Sequence, residues 1–400
     1  MKRSRWLSSA AVASALLLLT AACAGGDDGG GGGGDQAQDC TWVIGTMGAL
    51  SGDFAAIGVP IFQGIEFAVN EANDRGDLAC ELELQEEDSQ GDQTQAPPLA
   101  RSLVENEDLV AVVGPYFSGE TLAVGEIFDS AGVAFLCPSC TNETIDDQGW
   151  ETFFRAVAND GVQAPAAADY IDQVLQPETV AVVHDNQDYS KGIADTVTQE
   201  LGDTAEGPFI IDPAETDYSA VVSQVANTEP DVVYYGGYVP QAGPLVKQLQ
   251  EANVDATFFS DDGTKDPAFG DLAGKQAAEG ALVTCPCVDP LKTPAASAFV
   301  DGIKQEYGRN PGTFAADAYD ASNLIFEALK EASAEDDPSD IREDVQAYLD
   351  DIDGYEGIAR TYTFADNGEV EVDPLEDIWV YEWRNSAEDF VSLGPVADEL

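Results

Sequence analysis

The fold is decided by the stretch VAVVHDNQDYSKGIADTVTQEL (residues 180–201) together with its counterpart VVYYGGYVPQAGPLVKQLQEAN (residues 232–253). Each opens with an apolar run, passes through a short polar loop and continues with apolar residues at helical spacing. The predicted strand and helix are 180–183 and 189–201 in the first stretch, and 232–235 and 244–253 in the second. Apolar strands that alternate with amphipathic helices are typical of a parallel sheet covered on both faces.

The same alternation continues outward along the chain in both directions. Further strands are predicted at 41–50, 81–87, 109–113, 133–136, 208–211, 257–260 and 281–284. Further helices are predicted at 60–75, 99–105, 118–130 and 218–227. These strands are too many for one doubly wound sheet, and 400 residues exceed what one core usually serves. The sequence therefore predicts an α/β protein with two Rossmann-like lobes, each a mostly parallel sheet flanked by helices.

Polar residues follow most of the predicted strands. These loops are 48–54, 114–118, 138–141, 185–189, 236–238 and 261–263, and each is rich in Gly, Ser, Thr, Tyr or Asp. In open α/β sheets, ligands bind outside the carboxyl ends of the strands. Two lobes that face each other would place these loops around a shared cleft.

Five residues in these loops suit a free amino acid, which carries both a carboxylate and an ammonium. Ser118, at the head of a predicted helix, and Thr141 offer donors to the carboxylate. Asp262, Tyr189 and Tyr238 offer acceptors or an aromatic face to the ammonium. Each also has a plain structural interpretation as a helix cap, an interface side chain or a turn residue. Their common position at strand ends favours a binding site.

Charge excludes one large class of function. The chain has 75 Asp and Glu against 17 Lys and Arg, a formal net charge of −58. Such a surface repels nucleic acid and suits salty surroundings. The sequence offers no nucleophile–base set, its single histidine is His184, and no glycine-rich phosphate loop with its lysine is present. We expect neither an enzyme nor a bound cofactor or metal.

The first residues carry an export signal. A basic start (Lys2, Arg3 and Arg5) and an apolar run at 10–19 predict a signal peptide over residues 1–22. Ala21-Ala22-Cys23 resembles a lipobox, with Thr20 as a departure, so we expect lipidation of Cys23; cleavage without a lipid is the alternative. Residues 23–40 then form a Gly-rich tether that would reach on the order of 20 Å. This predicts an exported lipoprotein on the outer face of the cytoplasmic membrane.

Six further cysteines follow Cys23, and an even number in an exported chain favours disulfides. Cys40 and Cys80 each precede a predicted strand, and we expect them to pair. Cys137, Cys140, Cys285 and Cys287 leave the pairing open. A zinc site of four thiolates is the less favoured alternative for these four.

The chain resembles the leucine/isoleucine/valine-binding proteins of the type I periplasmic binding fold from about Val43 to its end. The resemblance rests on Ile44-Gly45, Leu50-Ser51-Gly52, Gly64, Ala68-Val69-Asn70, Val113-Gly114-Pro115, Cys137-Pro138, Thr141-Asn142, Phe154-Arg155, Val183-His184-Asp185 with Tyr189, Tyr234-Tyr235-Gly236-Gly237-Tyr238, Ala278-Glu279-Gly280, Val283-Thr284 and Ala318-Tyr319-Asp320-Ala321. The paired-tyrosine glycine motif is the most specific of these. The motif of the first predicted strand, Ile44-Gly45, is not specific to this family by itself.

The resemblance assigns roles to the candidate residues. It implies that Ser118 and Thr141 bind the ligand carboxylate, while the Ser139 carbonyl accepts from the ammonium. Asp262 stands where branched-chain binders have Glu, which shortens the carboxylate by one methylene. The remaining matches are the second-lobe tyrosines, Tyr189 and Tyr238, and an aromatic position beside the ligand side chain, Phe54.

The resemblance also implies an organisation and a partner. Three crossovers would join a first lobe (41–157 and 287–361) to a second (158–286 and 362–400). A monomer of this kind would close on its ligand and dock on ABC permease subunits, with the lipid as its only membrane contact. The alternatives are a binder of short amides or urea, and a sensory receptor subunit. The carboxylate and ammonium contacts favour an amino acid over urea.

Overall fold

The structure is a computed structural model and describes residues 40–400. The predicted signal peptide, the lipidated Cys23 and the tether as far as residue 39 lie outside the described residues. Within residues 40–400, no helix is both long enough and apolar enough to cross a membrane.

The first sheet has five strands, all parallel, in the order β2-β1-β3-β4-β5. Its central strand, β3, is an unbroken apolar run of which every residue is buried. Its strands are β1 (Thr41–Gly48), β2 (Glu81–Asp88), β3 (Leu109–Val113), β4 (Phe135–Cys137) and β5 (Phe153–Arg155). The helices that pack in this lobe are α1 (Ala55–Arg75), α2 (Ala96–Val104), α3 (Ser118–Ser130), α10 (Ser297–Tyr307), α11 (Ala315–Leu329) and α12 (Pro338–Asp350).

The second sheet has seven strands in the order β14-β13-β10-β9-β8-β6-β7. Five of them are parallel, and β13 and β14 add an antiparallel hairpin at one edge. Its strands are β6 (Val180–His184), β7 (Ala205–Ile210), β8 (Val232–Gly236), β9 (Thr257–Ser260), β10 (Leu282–Cys285), β13 (Trp379–Arg384) and β14 (Asp389–Pro395). Its helices are α4 (Asp160–Tyr170), α5 (Asp188–Leu201), α6 (Ser219–Ala226), α7 (Val239–Glu251), α8 (Ala268–Ala273), α9 (Lys275–Ala278) and α13 (Val396–Glu399).

The chain passes between the two sheets three times. It leaves the first sheet after β5 and enters the second through α4, then returns after β10 to α10 and α11. A small hairpin of β11 (Asp353–Glu356) and β12 (Thr361–Thr363) precedes the last passage, which leads to β13. The predicted α/β architecture with two sheets flanked by helices is confirmed.

Three helix starts were predicted wrongly. The prediction began helices at Pro60, Leu99 and Pro244, whereas α1 begins at Ala55, α2 at Ala96 and α7 at Val239. Both prolines lie inside the helices. Each proline is the sixth residue of its helix, so it removes one hydrogen bond to the carbonyl four residues back, and the helix continues past it at that cost. The apolar residues ahead of each proline, such as Ile57 and Val239, are buried and hold the extra turn against the sheet.

Three disulfides are present in the described part of the chain. Cys40 joins Cys80 with 5.1 Å between their Cα atoms, which ties the starts of β1 and β2 together. The other two connect cysteines that are close in sequence, Cys137 with Cys140 and Cys285 with Cys287. The two short loops belong to different sheets. Within residues 40–400, no group of three or more Cys, His, Asp or Glu side chains is placed to hold a metal ion.

Arg155, at the end of β5, is fully buried and organises the loop that follows β4. Its Nε donates to Glu369 at 2.9 Å, and Nη1 donates to the carbonyl oxygens of Cys140 and Asn142, each at 3.0 Å. Nη2 pairs with Asp146. The guanidinium thereby fixes the loop around Thr141 from behind, and it ties that loop to the segment between β12 and β13.

Candidate functional site

A small cavity of about 10 Å³, room for about one water molecule, lies between the carboxyl ends of the strands of the two sheets. Both lobes contribute to its wall. Its lining residues are Ile57, Tyr116, Phe117, Ser118, Ser139, Tyr189, Tyr238, Asp262, Gly263 and Phe314. The structure therefore brings five of the seven predicted site residues around one cavity. Thr141 and Phe54 do not line it.

The first-lobe wall is built by the loops after β3 and β4. Ser118 is the first residue of α3, so the free N–H groups of that helix start beside the cavity. Its hydroxyl accepts from the N–H of Asn142 at 3.2 Å. The hydroxyl of Ser139 donates to the Tyr116 carbonyl at 2.8 Å, which ties the two loops together. This wall is polar but uncharged, and it suits a carboxylate.

Thr141 sits behind this wall. Its side chain is fully buried, and its hydroxyl has no hydrogen-bond partner within the described chain. Its carbonyl accepts from the N–H of Asp160 at 2.7 Å, which joins the loop to the start of α4. A buried hydroxyl without a protein partner is costly unless something else bonds to it. Thr141 is therefore a candidate to bond a ligand once the adjoining loops move apart slightly.

The second-lobe wall carries the charge of the site. The Tyr189 hydroxyl donates to Asp262 Oδ1 at 3.0 Å and accepts from the N–H of Gly263 at 3.3 Å. The rings of Tyr189 and Tyr238 lie with centroids 5.0 Å apart. Gly237, between β8 and Tyr238, has a φ of 151°, which favours glycine, and this turn directs the Tyr238 ring at the cavity.

Three buried carboxyl groups meet on this side. Burial raises the pKa of Asp262 to about 6, although the Gln163 amide and the Tyr189 hydroxyl oppose the rise. Burial, with repulsion from Asp262, also raises the pKa of Asp160 and of Asp261 well above the usual range. Both oxygens of the Asp160 carboxyl lack a hydrogen-bond partner among the described residues. A cationic group placed here would relieve the repulsion and let Asp262 ionise.

Three aromatic rings close one end of the cavity. Phe54, Phe117 and Tyr238 form edge-to-face pairs, with centroids 5.3 to 5.8 Å apart. Phe54 lies on the far side of this group and lines a neighbouring cavity instead. Edge-to-face pairs of this kind stabilise a contact between the lobes more than the burial of their apolar surface alone would.

Hydrogen bonds also join the lobes around the cleft. The Asn142 side chain donates to the Asp188 carbonyl at 2.7 Å, and Thr196 donates to Glu143 at 3.1 Å. On the other side, Thr313 donates to the carbonyl of Lys265 at 2.6 Å. These contacts define a closed cleft.

Five lining residues were not predicted as site residues from the sequence. One of them, Gly263, ends the loop at 261–263 that follows β9. Tyr116 and Phe117 belong to the loop at 114–118, which the sequence places at the cleft. Their aromatic rings did not mark them as contacts for a charged ligand. Ile57 lies in the helical turn ahead of Pro60, where no helix was predicted. Phe314 precedes α11, far in sequence from any strand end, and no sequence signal marked it.

His184 lies at the end of β6 and was interpreted as structural. It is buried, and its Nδ1 accepts from the N–H of Asn186 at 2.9 Å, which closes the turn after the strand. Burial lowers its pKa. It does not line the cavity between the lobes.

Known proteins with similar sequences share one description. A family model described as periplasmic binding protein matches residues 41–388. An amino acid binding protein of Pseudomonas aeruginosa is 31% identical over 299 residues, which are 74% of this chain and 79% of that protein. The Leu/Ile/Val-binding protein of Escherichia coli is 30% identical over 308 residues, which are 76% of this chain and 82% of that protein.

Solved structures show the same fold. A leucine-binding protein from Thermotoga maritima superimposes with a TM-score of 0.80 at 24% identity, over 90% of this chain and all of that one. A branched-chain amino acid binding protein from Streptococcus pneumoniae, in complex with isoleucine, gives a TM-score of 0.76 at 24% identity, over 88% of this chain and all of that one. The resemblance inferred from the sequence is thus confirmed, and the chain belongs to the periplasmic binding protein family.

Proposed function

We propose that this protein is the solute-binding component of an ABC importer and that it closes on an amino acid between its lobes. The observation that carries the proposal is the polarity of the buried cavity. Its uncharged wall, with Ser118 at a helix N-terminus, faces a wall that carries Asp262. A free amino acid has the matching arrangement, with an anionic and a cationic group on neighbouring atoms.

The ligand would lie across this cleft in one orientation. Its carboxylate would receive hydrogen bonds from the Ser118 hydroxyl and the first N–H groups of α3, with Thr141 as a further donor. Its ammonium would bond to Asp262 and to the carbonyl of Ser139. The side chain would then lie against the apolar surface of Ile57 and Phe314. This surface, together with the Leu/Ile/Val specificity that the names of several relatives record, favours a branched-chain amino acid.

Calorimetric titration of a soluble form that lacks residues 1–38 tests the proposal. The protein is first unfolded and refolded to strip bound ligand, and leucine, isoleucine, valine, polar amino acids, short amides and urea are titrated in turn. Binding of an aliphatic amino acid with a micromolar or lower Kd is expected. Binding of amides or urea with no amino acid bound would contradict the assigned roles of Ser118 and Asp262.

Periplasmic binding proteins are exported, and we infer that this one stays at the membrane through a lipid on Cys23. Replacing Cys23 with serine should move the protein from the membrane fraction to the medium, because serine provides no thiol for the lipid. Fractionation followed by immunoblotting measures this. The matched control is Ala37→Ser, which introduces a serine into the same N-terminal segment and keeps Cys23. A Cys23→Ser protein that remains in the membrane fraction would rule out the anchor.

The partner of the closed form would be a membrane permease driven by a separate ATPase subunit. The protein would act as a monomer, since each cleft is complete within one chain: both walls of the cavity come from residues 57–314. Binding and release would be its whole activity, in keeping with a family of solute-binding proteins rather than enzymes.

A further inference from the structure

Cys137 and Cys140 form a disulfide that closes the loop after β4. Their Cα atoms are 6.0 Å apart, and both side chains are fully buried. They pack in an apolar cluster of the first lobe together with Phe128, Ile145 and Phe153. The disulfide does not line the small cavity between the lobes. It lies in the core behind that cavity and fastens the loop to the core.

Two residues of this loop belong to the proposed binding mode. Ser139 stands between the two cysteines and lines the cavity, and Thr141 follows Cys140 directly. The Ser139 carbonyl accepts no backbone N–H among residues 40–400, and the Thr141 hydroxyl has no hydrogen-bond partner there. Both groups can therefore bond to a ligand, and their positions depend on the backbone that carries them.

Hydrogen bonds hold this backbone at one end of the loop. The Cys140 carbonyl accepts from Arg155 Nη1 at 3.0 Å, and the Thr141 carbonyl accepts from the N–H of Asp160 at 2.7 Å. No backbone hydrogen bond to Pro138 or Ser139 is present within residues 40–400. The disulfide therefore supplies the covalent restraint on these two residues, in addition to the proline ring, which fixes one dihedral angle.

The length of the closed loop shows where this disulfide has its effect. The entropy that a disulfide removes from the unfolded chain increases with the length of the loop that it closes. Cys137 and Cys140 are 3 positions apart, whereas Cys40 and Cys80 are 40 positions apart. The Cys137–Cys140 disulfide therefore stabilises the whole fold less than the Cys40–Cys80 disulfide does. Its main effect is on the conformations that the loop can adopt in the folded protein.

We propose that the Cys137–Cys140 disulfide is a positioning element of the ligand site, which fixes Ser139 and Thr141 before the ligand arrives. This inference rests on the proposed amino-acid binding and adds how two of its contacts are held in place. A loop that is ordered in advance loses less conformational entropy on binding, so the ligand is bound more tightly. Without the disulfide, the ligand would have to order the loop itself.

Calorimetric titration of the double variant Cys137→Ala/Cys140→Ala with leucine tests the inference. Its Kd should be weaker than that of the wild type by roughly tenfold or more. The matched control is Cys40→Ala/Cys80→Ala, which removes the disulfide at the opposite, amino ends of the strands. The control should lower the midpoint of thermal unfolding more, yet leave Kd within about threefold of the wild type. Equal losses of affinity in the two double variants would overturn the inference.

Hydrogen exchange of the ligand-free protein tests the same inference without a ligand. The N–H groups of residues 139–142 should exchange roughly tenfold faster in Cys137→Ala/Cys140→Ala than in the wild type, because the loop opens more often. Cys137→Val/Cys140→Ala fills the apolar space more fully and serves for both measurements if the first variant does not fold. Exchange rates or a Kd equal to those of the wild type would overturn the inference alone. Wild-type protein that binds no amino acid would overturn the proposed function, and the exchange rates would still decide whether the disulfide orders the loop.

Discussion

Asp262→Ala is expected to weaken amino-acid binding by about 2–4 kcal/mol, roughly 30- to 1000-fold in Kd. The replacement removes the acceptor that would pair with the ligand ammonium inside a closed cleft. It also leaves the Tyr189 hydroxyl, which now donates to Asp262 Oδ1, without that partner. Calorimetric titration with the preferred ligand measures the change.

Asp266→Ala is the matched control for this experiment. Asp266 lies four residues after Asp262, also has a pKa raised to about 6 by burial, and does not line the cavity. Its loss should change Kd by less than about threefold, since it makes no contact with the ligand. Equal affinities of wild type and Asp262→Ala would remove Asp262 from the site. Asp262→Glu should restore most of the binding, because it returns the acceptor on a side chain longer by one methylene.

The same carboxyl predicts the pH dependence of binding. In the closed cleft without a ligand, burial raises the pKa of Asp262 to about 6, above its ordinary value. The ammonium binds the ionised carboxyl, and protonation of Asp262 competes with it, so affinity should fall as the pH drops from 7 towards 5. Asp262→Ala should abolish the fall. A wild-type affinity that is the same at pH 5 and pH 7 would contradict the pairing.

Arg155→Leu is expected to reduce the free energy of unfolding by about 3–5 kcal/mol. Removal of the buried guanidinium leaves Glu369 and Asp146 without their cation and two carbonyl oxygens without a donor. Because these contacts fix the loop around Thr141, ligand affinity should fall as well. Urea denaturation followed by circular dichroism measures the stability of the ligand-free protein.

Arg384→Leu is the comparison for Arg155→Leu. Its ion pair with Glu382 is on the surface, with nearly half of the Arg384 side chain exposed, and such pairs contribute at most about 1 kcal/mol. Equal losses from the two replacements would mean that the buried network contributes no more than a surface pair.

The parallel strands were predictable because each is a short, uninterrupted apolar run next to an amphipathic helix. Leu109–Val113 and Val180–Val183 have no other interpretation in a chain without membrane spans after residue 40. The position of Asp262 was predictable for the same reason, since a carboxyl directly after a buried strand must lie at the ligand side of the sheet. Its hydrogen bond with Tyr189 joins residues 73 positions apart, and nothing in the sequence predicted it.

Other features of the structure left no local pattern in the sequence from which they could be predicted. The antiparallel hairpin of β13 and β14 alternates exposed and buried residues in a region rich in acidic side chains, where the pattern is weak. Phe314 reaches the cavity through a backbone with φ of 60°, a conformation set by tertiary packing rather than by its residue type.

Apart from the rings of Phe54, Phe117 and Tyr238, the contacts that hold the lobes together across the cleft are a few hydrogen bonds at its margins. Asn142 with Asp188, Glu143 with Thr196 and Thr313 with Lys265 are exposed or partly buried hydrogen bonds. Such bonds contribute about 0.5–1.5 kcal/mol each, whereas a full switch from 1:99 to 99:1 in favour of the closed state needs about 5.5 kcal/mol. Closing an empty cleft would also bury Asp262 beside Asp160, on the same wall, without a cation to offset their repulsion. The population of closed, empty protein is thereby kept low, and an importer that recognises the closed form would be presented almost entirely with loaded carriers.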